Sequence, residues 1–442
     1  MSHKRVTNLF ALVIVAGTTA LAQIPAPPQS QPVALTHVTI YPVTNDPVPE
    51  GSIVFIDGKI TNIGTNVVIP KGCVTINLKG KHVYPVLIQT YSNLGLTEIG
   101  SVGVTNDSAE HGDINPNVRA EVAINPESEH IPVARANGIG LAVAAPSGGL
   151  IAGQTALIQT DGWTWKEMTF KAPLSLMIHW PRMTGFARDD DEEAKEQKKN
   201  MREQLKRLDK AVEDAKAYMR AHESGDTTQR QQIKTDVRWE AMIPVLQREM
   251  PVWIRANSLL EIEAAVAWSH KHNLKMVLVG GYDAGCCADL LKNHNVPVIL
   301  TGVLRLPSRR DADFDEPFVL PLKLHEAGIK FCIASGGASN IRNLPYHAAK
   351  AAAYGLPKNE ALKAITLYPA QIMGVSDNVG SLGPGKDATL IVTDGDPLEI
   401  TTNVERLYIQ GRLIDLTNKQ QRLYDKYKLR YEQIKQEGKI TQ

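Results

Sequence analysis

The feature that most constrains this chain is a recurrence of short, wholly apolar runs, each followed by residues with helical periodicity. GLAVAAP, SLMIHW, PVWIRA, KMVLVGG, PVILTG and KFCIAS are too short to be buried helices and too continuous for strands with one wet face. They read as strands covered on both sides. Between them LLEIEAAVAWSHKHN, CCADLLKNHN and residues 344–354 carry the spacing of helices. Strands alternating with helices at this frequency predict a parallel sheet, and over this length a (β/α)8 barrel or a doubly wound sheet. In both, chemistry belongs at the C-terminal ends of the strands.

The two ends of the chain have a different texture. ALTHVTIYPV, GSIVFIDGKITNIG and CVTINLKGKHVYP are alternating strands divided by turns, with Asp57-Gly58 as a hairpin signal. GSLGPGKDATLIVTDGDPLE and NVERLYIQGRLIDL repeat that pattern late in the sequence. The expected organisation is a composite β-sandwich from residues 34–84 and 379–416, enclosing a barrel at 85–378, with a C-terminal helical tail at 417–442. Within the barrel, residues 188–224 form a helical insertion: Met201, Leu205, Leu208, Val212, Ala215 and Met219 recur at spacings of three and four. That seam suits either a partner helix or the chain's own barrel.

Lys and Arg number 48 against 47 Asp and Glu, so no overall field draws nucleic acid, and none is expected as a partner. At the start, Lys4 and Arg5 precede an apolar run and Ala20-Leu21-Ala22, the pattern of a cleavable signal peptide over residues 1–22, followed by a proline-rich leader at 23–33. The expectation is a periplasmic or secreted protein with no membrane contact after cleavage. Four scattered cysteines do not make a disulfide framework, and Cys286-Cys287 reads better as small packing residues than as a metal or redox pair.

GKITNIG, KGKHVYPVLIQTYSNLGL, GLPKNEALKAITLYPAQIMGV and GSLGPGKDATLIVTDGDPLE together resemble the amidohydrolase superfamily, in particular its imidazolonepropionase-like exported members. The resemblance implies a distorted (β/α)8 TIM barrel with a small β-sandwich formed from both chain ends. It also implies hydrolysis of non-peptide carbon-nitrogen bonds by one or two divalent metals, zinc or another, that activate water. In such proteins histidines and an aspartate at strand ends hold the metal.

Against that pattern this sequence departs at every ligand position. Tyr91 and Asn93 stand where two histidines are expected, and Gln89 where an acid precedes them. Arg255 takes the third histidine's place, Gly280 or Gly281 the fourth's, and Gly336 that of the aspartate. Glycine supplies no ligand and guanidinium repels a dication, so no metal cofactor is expected.

His179, closing SLMIHW, is the one weak catalytic candidate, and more often such a residue is a structural hydrogen-bonder. The acidic connection with Glu110, His111, Asp113, Glu121 and His130 reads as a lid or as turn chemistry. SGGLIAG reads as a tight turn. Arg255 is open to two readings of equal standing: a clamp for a carboxylate or phosphate, or an internal ion pair with Asp283. Tyr91, Asn93 and Tyr282 would line the same ligand pocket. The resulting expectation is a hydrolase by descent without a working metal site, a pseudoenzyme by residue content. The alternative is an inactive subunit that binds a small-molecule ligand or assembles as a homo-oligomer or with an active relative.

Overall fold

A computed structural model describes residues 24–183, 192–223 and 234–436. The signal-peptide residues and the edges of the helical insertion lie outside the described residues. The strands, in order, are β1 (Val33–Ile40), β2 (Val48–Ile56), β3 (Lys59–Gly64), β4 (Val74–Asn77), β5 (His82–Pro85), β6 (Leu87–Ser92), β7 (Ile139–Ala144) and β8 (Ile151–Gln159). After them come β9 (Thr169–His179), β10 (Val252–Ala256), β11 (Met276–Gly280), β12 (Val298–Thr301), β13 (Phe331–Ala334), β14 (Leu390–Thr393), β15 (Val404–Ile409) and β16 (Arg412–Ile414).

The small sheet joins both chain ends. β14 pairs antiparallel with β5, Pro85 facing Leu390, and β1 pairs with β2 on one edge while β4 and β5 share its other edge. Leu35, Ile53, Phe55, Val83, Leu390 and Tyr408 meet in a separate small core, so neither end of the chain can bury its apolar face without the other. Asp57 and Gly58 both take positive φ, 49° and 78°, the backbone the hairpin turn between β2 and β3 demands.

The second sheet runs β6 to β13 in sequence order and curves into a distorted barrel. From β9 to β13 all pairs are parallel. β8 is not: it runs antiparallel to both β7 and β9, and all nine of its residues are buried. SGGLIAG, expected as a tight turn between strands, supplies that turn with its first four residues and opens β8 with its last three. Only residues 145–150 separate β7 from β8, which suffices for a hairpin but not for the crossover a parallel pair needs.

β6 and β13, the two ends of this path, are stitched by side chains. Gln89 is wholly buried; its Nε2 donates to Gly336 O at 3.1 Å and to Tyr91 O at 2.9 Å, while its Oε1 accepts from Ser335 N at 3.1 Å. Asn93 Oδ1 accepts from Ala338 N at 2.8 Å.

The helix Glu192–Glu223 settles the choice left open for its seam. Leu208, Ala211, Val212 and Ala215 enter the main core, and Asp209 accepts from Trp268 Nε1 at 2.9 Å and lies 2.7 Å from His272 Nε2. This helix packs on its own barrel, against the helix Leu259–Lys271. No described helix is long and apolar enough to cross a membrane.

Candidate functional site

The C-terminal ends of β9, β10 and β11 open on a cavity of about 760 Å³, lined among others by His179, Trp180, Arg182, Arg255, Asn257, Glu261, Tyr282, Asp283 and Arg309. This is the size of a small-molecule site. Parallel register sets His179 beside Arg255 on neighbouring strands. Arg255 is the one exposed residue of β10, its four strand neighbours being buried. Its guanidinium lies 5.8 Å from the ring centroid of Tyr91. Burial pushes the Tyr91 phenol up, and the Arg255 charge opposes that rise.

The acids at the cavity are already committed. Asp283, 5% exposed, is bonded by Arg309 and accepts from Leu259 N at 3.0 Å. Glu261 Oε2 takes Asn257 N at 3.0 Å and Ser258 N at 3.2 Å, and its Oε1 takes Met183 N at 3.2 Å, capping the helix Leu259–Lys271. The ion pair Arg255–Asp283, one of the two sequence readings, is therefore not the one formed: Arg309 holds Asp283, because its loop brings a second guanidinium to the same carboxylate. Among the described residues no carboxylate pairs with Arg255.

His179 points its Nε2 at Pro146 O, 3.4 Å away. Burial holds its imidazole below the ordinary histidine range, the Pro146 carbonyl pulls the other way, and the positive charge of Arg255 adds to the lowering. A neutral ring at pH 7 follows. Tyr282 lies under a different cation, Arg305, with its guanidinium 3.9 Å from the ring centroid.

The donor set does not fit a divalent metal. The oxygens of Gln89 and Asn93 are both occupied by backbone N–H groups across the barrel seam, and Arg255 would set a fixed positive charge against the ion. At Gly280 a Cβ would come within 2.2 Å of Asn257 Oδ1, and φ is +98°. At Gly336 φ is +96°, although nothing lies within 4 Å of where a Cβ would stand. Among the described residues no three His, Cys, Asp or Glu side chains converge as a metal site.

The acidic connection is not gathered at the mouth. Asp113 is bonded by Arg207, Glu121 by Arg119 at 2.5 Å, and His130 Nε2 meets Glu98 O at 2.9 Å, while Glu110 accepts from His111 N at 2.9 Å. None of these lines the cavity. Cys287 is buried, its thiol pushed up to about 12 by that burial, whereas Cys286 is exposed rather than packed.

Sequence reasoning missed Trp180, Arg182, Asn257, Glu261 and Arg309. Trp180, Arg182 and Asn257 stand within three residues of a strand end, so carrying the strand-end rule that far would have found them, whereas Glu261 lies in the first turn of the helix after β10. Arg309 sits in a connection whose fold over the cavity no local pattern announces.

Residues 254–414 match the sequence model of the amidohydrolase family. An amidohydrolase named tasK from Hapsidospora irregularis is 20% identical over 370 residues, 78% of this chain, and the chain spans 37% of that protein's length. An amidohydrolase from Thermotoga maritima is 24% identical and superposes with a TM-score of 0.75 over 87% of this chain and 99% of its own. A prolidase solved with N-methylphosphonate-L-proline is 14% identical, with a TM-score of 0.53 over 87% of this chain and 99% of its own. The chain thus carries the amidohydrolase family's sequence pattern from β10 to β16 and shares the fold of solved amidohydrolases over 87% of its length.

Proposed function

We propose that this protein is an exported amidohydrolase-superfamily member whose barrel mouth binds a small organic anion in place of a catalytic dication. The observation that carries this reading is Arg255: an exposed guanidinium at a strand end, facing a cavity whose two carboxylates are spent elsewhere. A carboxylate is the natural complement, since guanidinium binds it through two parallel hydrogen bonds. Neutral His179 and Tyr91 beside it add hydrogen-bonding groups without competing charge. The phosphonate-bearing proline in the similarly folded prolidase is an anionic compound of the size this cavity admits. The ligand class is therefore a carboxylate-bearing amide or amino-acid derivative, retained from a carbon-nitrogen hydrolase ancestry without the metal-activated water.

The test uses two probes, N-acetyl-L-proline and its primary amide, in calorimetric titrations of the purified chain. The carboxylate is expected to bind and the neutral amide to bind at least tenfold more weakly, about the worth of one charged hydrogen bond. Equal binding of both overturns the anion reading. Separately, elemental analysis after equilibration with zinc and dialysis is expected to find no stoichiometric metal; one zinc per chain would restore the metal-hydrolase reading.

A further inference from the structure

The C-terminal helix Lys419–Gln436 buries none of its residues. At 3.6 residues per turn, Leu423, Tyr424, Tyr427, Tyr431 and Ile434 fall within one sector of roughly 100°. Leu423, Tyr424, Tyr427 and Tyr431 are 41%, 61%, 51% and 62% exposed. A shallow concavity along this sector is lined by residues of the helix alone, so nothing else in the described chain covers it.

The charges are sorted about that stripe. Lys419, Lys426 and Arg430 run along one border and Lys428 and Lys435 along the other, where Glu432 also reaches the rim of the concavity, while Asp425 lies on the opposite face. Six cations against two acids give the helix a net +4 in a chain whose total is +1. The body of the protein holds the helix from behind: Arg422, on the side away from the stripe, places Nη2 3.3 and 3.4 Å from the two carboxylate oxygens of Glu129. The stripe therefore faces outward.

We propose that this helix docks the protein on an anionic lipid surface. An apolar sector with five cations on its two borders and a single acid at its rim suits a flat anionic interface with water on one side. Leucine and tyrosine rings enter the headgroup region while the lysine stems reach along them to keep their ammonium groups among lipid phosphates. A second copy is the poorer occupant, because pairing two such stripes would set the cationic borders of each helix against those of the other. Contact of this kind lies on the membrane and needs no spanning segment.

The test is co-sedimentation of the full chain with vesicles of phosphatidylglycerol mixed with phosphatidylcholine, and with phosphatidylcholine alone. Pelleting is expected with the anionic vesicles only, and raised salt should release it. Leu423→Ser and Tyr427→Ser should each weaken partitioning about tenfold, the worth of one apolar side chain. Leu429→Ser, 55% exposed but on the opposite face, should not. Equal pelleting with neutral vesicles, no pelleting at all, or a loss as large for Leu429→Ser as for Tyr427→Ser overturns the proposal. So does a stripe-dependent dimer in sedimentation velocity.

Discussion

His179 and Arg255 are register partners on adjacent parallel strands, and the charge of one lowers the proton affinity of the other. Removing that charge without changing the strand should release part of the lowering. In Arg255→Gln the His179 imidazole is expected to titrate at higher pH than in the parent chain while staying below the ordinary value, since burial is the larger cause. Histidine NMR titration reads this directly. The same variant should lose binding of N-acetyl-L-proline by more than tenfold, the worth of a bonded charge.

Gln89 stands at the seam between the first and last barrel strands, with its amide satisfying Ser335 N and Gly336 O. Gln89→Leu keeps the volume but leaves both backbone groups buried without partners. The expected loss is about 2–4 kcal/mol of unfolding free energy, measured by urea denaturation. An unchanged midpoint would mean that water or a backbone shift satisfies the seam.

Rebuilding a metal site residue by residue should fail at one position and be tolerated at another. Gly336→Asp meets open space and costs only the positive φ, about 1–2 kcal/mol. Gly280→His must displace Asn257 Oδ1 as well as accept φ of +98°, and is expected to lower the yield of folded protein sharply. Thermal melting of the two variants separates these outcomes.

His347, 5% exposed, accepts from Leu304 N at 3.2 Å and is held down to about 4 by burial. Its depressed folded value means the unfolded chain binds the proton more readily. Stability is therefore full above the ordinary histidine value near 6.5 and declines as pH falls from there toward 4, by up to ~3 kcal/mol. Denaturation midpoints at stepped pH should show that decline, and His347→Gln should flatten it.

The parallel strands β9 to β13 were legible because burial on both faces leaves an uninterrupted apolar run, as in MVLVG and VILT. β8 was not: IAGQTALIQ carries two glutamines and a threonine, and its burial comes from strands that only the folded barrel brings alongside. That Tyr91, Asn93, Arg255, Gly280 and Gly336 differ in type from the histidines and aspartate of the resembled family was read from the residues alone. That Gln89 and Asn93 had instead become ties across the seam was not, because their partners lie some 250 residues away, 246 for Gln89 and Ser335. The tail was read as helical, but which side of it met the body depended on Arg422 finding Glu129.

The pairing of β5 with β14 has a consequence for the order of events during synthesis. When the first five strands leave the ribosome, the strand that will occupy the free edge of β5 has not yet been made, and the whole barrel must be translated before it arrives. Throughout that interval Phe55 and Val83 wait without the Leu390 and Tyr408 that later cover them. The nascent chain thus carries an open, sticky β-edge for most of its production, which makes holding factors or delayed folding a requirement of this architecture rather than an accessory to it.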